Sequence, residues 1–140
     1  MALATQAQIE AVAAELTQCA DIVHERLMKG VKRKEIERHE AQLVFQDEII
    51  LRQKANGLYI DAANCVVANL AETQKSLLTT IDTAKQKLKK IKDITAFIDL
   101  TADLIVLAAA INAAKPSAIL AALKEVKKDV ENMKEAAQFK

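Results

Sequence analysis

The sequence has almost nothing with which to turn a chain sharply. Its 140 residues include two glycines and one proline, whereas sandwiches and barrels place turn residues roughly every 8–12 positions. That scarcity excludes sheets and predicts an all-α chain. Aromatic residues make up only 3% and tryptophan is absent, so no aromatic-studded basic surface for stacking nucleotides is expected. The net charge of +1 supplies no general attraction to nucleic acid or anionic lipid.

Cys19 and Cys65 form no CxxC pair, and the one nearby histidine, His24, is five residues from Cys19 and off its helix face. They read as two small buried hydrophobes in a reducing compartment, with a mutual disulfide open only to an exported protein. The start, MALATQAQIEAVAAEL, has neither a basic leader nor an unbroken apolar run. Cytoplasmic location is the expectation, and leaderless export stays open. A Gly-rich phosphate loop and a Ser/His/Asp elbow are both missing, so the chain is expected to be non-enzymatic and free of cofactors.

What is present is apolar and helical. Hydrophobic residues are 51% and charged residues 28% of the chain. That is ample for one domain spanning residues 1–140. The breakers predict helices over about 5–29, 31–55, 58–114 (with a break possible near 93, where Asp-Ile-Thr can cap) and 117–138. Ile9, Ala13, Leu16, Ala20, Val23 and Leu27 recur at helical spacing. A second seam runs Leu77, Ile81, Ala84, Leu88, Ile91, Thr95, Ile98, Ala102, Ile105, Ala109 and Asn112, in steps of four and three. A third, Ile119, Leu120, Leu123, Val126, Lys127, Val130 and Met133, follows Pro116. Two similar arms about Asn56-Gly57 suggest an elongated antiparallel hairpin with the C-terminal helix packed back. The alternative, if the chain turns at Gly30, is a compact four- or five-helix up-and-down bundle.

The most apolar stretch, ITAFIDLTADLIVLAAAIN, has the length of a membrane span but holds Asp99 and Asp103 near its middle. Each acid costs about 2.5–3.5 kcal/mol on the insertion scale, and the large apolar residues return about 0.3–0.6 each. The sum favours a helix core, with the two acids on a wet stripe. Insertion after a rearrangement, through Phe97, Leu104, Ile105, Val106 and Leu107, is the second reading.

A further apolar zone flanks Asn56-Gly57. Val44, Phe45, Ile49, Ile50, Tyr59, Ile60, Val66 and Val67 exceed what one two-helix seam buries, so an interface is expected there, with another copy or a helical protein partner. Leu51 belongs to the same run. Asp61, Asn64 and Asn69 would fix its register. Asp21-x-x-His24 and Glu35-x-x-x-His39 have metal-pair spacing, but the position three before His39 is Ile36 rather than an acid, and no metal site is expected. The basic runs Lys29–Lys34 and Lys85–Lys92 read as solvated helix flanks. The function that follows is a helical bundle acting by helix–helix association. A membrane-active protein of the α-pore-forming kind is the alternative.

Overall fold

The computed structural model describes the backbone of residues 1–138 and the side chains of residues 1–132. It is all helical: α1 (Gln6–Lys32), α2 (Arg38–Ile60), a 3-10 turn (Ala62–Cys65), α3 (Gln74–Lys90), α4 (Ile94–Asn112) and α5 (Pro116–Gln138). Each start has a local cause. Thr5 caps α1 by accepting from the Gln8 N–H at 3.2 Å, and Gln8 reaches back to the Ala4 N–H. Thr73 caps α3 in the same way, and Asp93 accepts from the Thr95 N–H at 2.9 Å to open α4. Pro116 occupies the first position of α5, where its missing N–H costs nothing.

The helices pack in a closed ring: α1 on α2, α2 on α4, α4 on α5, α5 on α3, and α3 back on α1. The architecture is the compact five-helix bundle rather than the elongated hairpin. Direction around the ring is mixed. Asp21 and His24 of α1 meet Arg52 and Glu48, so α1 and α2 are antiparallel. Gln8, Gln18 and Arg26 meet Gln74, Lys85 and Ile91 in turn, so α1 and α3 run in parallel. The connection across residues 61–73 makes this possible by carrying the chain from the end of α2 back to the start of α1.

The turns fall away from the expected place. Asn56-Gly57 lies inside α2, with Gly57 in ordinary helical conformation. The glycine leaves room instead: a Cβ there would sit 3.3 Å from Asn112 Oδ1 of α4. Asn112 uses that space to donate to the Lys54 carbonyl at 3.3 Å and to the Ala108 carbonyl at 3.2 Å. Gly30 is likewise helical, and the chain turns just beyond it over residues 33–37, where Lys34 has φ 59°. Ile36 folds back over Gly30 so closely that any Cβ there would overlap it.

The core follows the α1 seam without a slip: Ile9, Ala13, Leu16, Ala20, Val23 and Leu27 are all buried. The second seam holds only as far as Leu88. The break at residues 91–93 resets the register, and α4 turns Phe97, Leu100, Leu104, Leu107 and Ile111 inward while Thr95 is exposed and Ile98, Ala102, Ile105 and Ala109 are half-buried. In α5, Ile119, Leu123, Val126 and Val130 are buried and Lys127 is exposed; the Met133 side chain lies outside the described residues.

One further feature ties the ends of the ring together. The Ala2 N–H donates to the Glu72 carbonyl and the Val67 N–H to the Leu3 carbonyl, both at 2.8 Å. Leu3 donates to Gln74 Oε1 and Gln74 Nε2 donates to the Gln8 carbonyl. Leu3 sits at φ 59° and is completely buried. That left-handed conformation costs about 1–2 kcal/mol in a residue with a Cβ, and the burial holds it in place.

Candidate association surface

Helix α2 turns Val44, Glu48, Leu51, Ala55 and Leu58 inward. Its exposed residues from 42 onward are Gln42, Leu43, Phe45, Gln46, Ile49, Ile50, Gln53, Asn56, Tyr59 and Ile60, and none is charged. The outward residues of α3, by contrast, include Lys75, Asp82, Lys89 and Lys90. Phe45 is 48% exposed, Ile49 40%, Tyr59 43% and Ile60 82%. Such values mark an open apolar face rather than scattered leucines.

The charges of α2 have been led elsewhere. Glu48 is buried and accepts from Arg52 Nε at 2.9 Å, with His24 Nδ1 2.8 Å away on its other oxygen. Arg52 then donates to Asp21 at 2.7 Å, fastening α2 to α1 along one flank. The Arg52 guanidinium is held above its ordinary pKa. Burial opposes this, but the hydrogen bonds to Asp21 and Glu48 outweigh it. Asp47 is half-buried and burial raises its carboxyl pKa. The Asp21–His24 spacing therefore serves a helix clasp, and His39 lies 3.4 Å from Glu37 at the turn. Among the described residues no group of three or more His, Cys, Asp or Glu is placed to hold a metal ion.

Six of the residues expected at an interface are exposed: Phe45, Ile49, Ile50, Tyr59, Ile60 and Val66. Two are corrected. Val44 and Val67 are 1% and 3% exposed and belong to the core, Val44 because it starts the inward stripe of α2 and Val67 because its backbone pairs with Leu3. Asp61, Asn64 and Asn69 fix no register within a helix: Asp61 ends α2, Asn64 lies in the 3-10 turn and Asn69 takes φ 59° in the loop.

The apolar helix α4 is long and apolar enough to cross a membrane, with a mean hydropathy of 2.1 over its best window. Phe97, Leu104 and Leu107 are buried in the bundle, Ile105 is half-buried and Val106 is 54% exposed. Asp99 is exposed as expected, but Asp103 is not simply wet. It faces Asp129 of α5, whose Oδ2 is buried without a hydrogen-bond partner among the described residues.

The basic runs have structural work. Lys29 and Lys32 occupy the last turn of α1, and Lys87, Lys89 and Lys90 that of α3, where cations complement the helix dipole. Lys85 binds Glu15 at 3.1 Å and Asp82 at 3.3 Å. Both cysteines are free and buried, and burial pushes the Cys19 thiol up to about 12. The charge-free face of α2 was missed as such in the sequence, because its charges are interleaved and only the helix phase sends them inward or sideways. The chain matches no family model, no curated protein and no solved structure at a significant level.

Proposed function

We propose that this protein is a non-enzymatic association module whose working surface is the outer face of α2. The exposed, uncharged run from Gln42 to Ile60 carries the reading. A solvated helix face normally bears charge, which keeps it in water and repels like copies. This one keeps apolar side chains and neutral amides outward while its acids and bases bind to α1 or lie half-buried. Such a face is suited to a helix of another protein surface, where apolar contact and amide hydrogen bonds form together.

The expected result is concentration-dependent mass. Sedimentation at micromolar concentration should show species larger than the 15.3 kDa chain. Ile49→Asp should weaken association at least about tenfold, as removing an interface anchor does, with helicity retained because residue 49 does not pack in the core. Monomer at every concentration, for native chain and variant alike, would remove self-association from the proposal. Dye release from liposomes by the native chain, with no mass increase, would instead favour the membrane-active alternative through α4.

A further inference from the structure

We infer that the partner of the α2 face is a second copy of this chain, docked antiparallel about a two-fold axis between Lys54 and Ala55. The inference rests on the association reading and adds its partner and register. Ile49, Gln53, Asn56 and Ile60 are all exposed, and they follow one another in steps of four, three and four. Steps of four and three keep residues on one stripe of a helix, the pattern by which helices pair.

These four positions also form a palindrome. Read from either end it is isoleucine, amide, amide, isoleucine, with the same spacing. An antiparallel second copy therefore sets Ile49 against Ile60 of the partner subunit. It sets Gln53 against Asn56 of the partner subunit. The isoleucines bury each other, and each amide offers both donor and acceptor to the other, so neither is left unsatisfied. A parallel pair matches like with like for any sequence and gives no reason for the mirror spacing. An antiparallel two-fold pair requires it, and it also opposes the two helix dipoles.

Charge selects the same occupant. A charge-free face is complemented by another charge-free face, and the chain carries one in α2 itself. A lipid surface fits less well. It would strand Gln53 and Asn56 in an apolar layer, and α2 exposes a single arginine, Arg38, about three turns before the stripe begins, too little of a basic rim to meet headgroups.

The test is cross-linking by mixed chains, with sedimentation of the same samples. Cys19 and Cys65 are buried, so the native chain serves as the blank. Ile49→Cys chains mixed with Ile60→Cys chains should give disulfide-linked dimer at least about tenfold above either chain alone. In this register two copies of residue 49 lie about 16 Å apart along the helices, beyond the reach of a disulfide. Gln53→Cys mixed with Asn56→Cys keeps both isoleucines and should link as well, so weakened binding in the first pair does not spare the inference. Ile49→Cys chains linking to themselves would establish a parallel pair and overturn it. Dimer mass with neither mixture linking would overturn the register and leave association standing. Native chain that sediments as monomer throughout would overturn the second copy as the partner and leave association with another protein standing.

Discussion

Leu104→Ala should lower the unfolding free energy by about 2–5 kcal/mol, the usual loss for a fully buried leucine, and Ile105→Ala by about 1 kcal/mol, the common size of a change outside the core. The two residues are neighbours of similar size, and only their helix phase differs. Leu104 is completely buried between α4 and the rest of the ring, so truncation leaves a cavity that close-packed neighbours fill only in part. Ile105 lies on the flank of α4 and keeps part of its side chain in water in the native state. Urea unfolding of both variants measures the contrast through the shift in midpoint at constant slope. Equal losses, or a larger loss at Ile105, would mean that the seam runs unbroken from α3 into α4.

That pair of residues shows what was legible and what was not. The α1 seam from Ile9 to Leu27 was readable because one uninterrupted helix carries it, and local spacing then determines the buried face. The four-and-three rhythm places Ile105 in the core because it continues formally through Ile91 and Thr95. The Asp-Ile-Thr cap near residue 93 is readable, but the spacing does not reveal that Asp93 takes it up and restarts the helix in a new phase. Asn56-Gly57 misled for a related reason: its turn preference is local, while the helix through it is held by Ala55 and Leu58 in the core and by Asn112 against the glycine. The all-helical class needed only the scarcity of turn residues. The ring order needed the connection over residues 61–73, which was not legible: with no glycine or proline it reads as part of one helix over 58–114, whereas α2 ends at Ile60 and α3 starts at Gln74. On α2 and the loop after it, apolar excess alone was enough to identify Phe45, Ile49, Ile50, Tyr59, Ile60 and Val66 as surface residues. Val44 and Val67 required the helix phase and the pairing with Leu3.

Asp103→Asn should make the protein more heat-stable at pH 8 than the native chain, by about 4 °C in Tm, what roughly 1 kcal/mol yields in a chain of this length. It should also remove a pH dependence that the native chain has. Burial pushes the Asp103 carboxyl up to about 7, and the hydrogen bond and charge of Asp129 push it the same way, followed by Glu125 and Asp99. The charges acting on it come from α5 and from α4 itself, and all are acidic. Below about pH 7 Asp103 holds its proton beside Asp129, which lowers the repulsion between the two side chains. Above that, Asp103 carries its charge into the α4–α5 contact, where its neighbours are acidic.

The sign follows from the proton count. The folded pKa lies above the ordinary value of 3.8, so between these two the folded chain binds a proton that the unfolded chain has released. Stability from this group is complete below about pH 4, falls as pH rises to about 7, and is level beyond. Solvent still reaches the pair, which is why the expected gain is set at a modest ~1 kcal/mol. Asparagine supplies the donor without the charge, so its stability relative to the native chain should climb from pH 4 to 7 and then flatten. Thermal unfolding followed by circular dichroism across pH 4–8 reads this directly. A difference that does not vary with pH, or that grows toward acid, would show that Asp103 does not keep its proton toward neutral pH.

The contact between Ala2–Leu3 and the loop from Val67 to Glu72 sets how the molecule breathes. It joins positions more than sixty residues apart through two short backbone hydrogen bonds, so neither half of it can open while the other stays shut. Fraying of residues 1–4 and release of the loop should thus be a single sub-global opening, with the amide protons of Ala2 and Val67 showing a common opening free energy. The loop leads directly out of α2 past Val66, at the end of the charge-free face. Anything that steadies that end, such as a docked helix against Ile60, slows exchange at Ala2 on the far side of the clip. If the proposed docking on α2 occurs, amide exchange at the first residues would be its remote reporter.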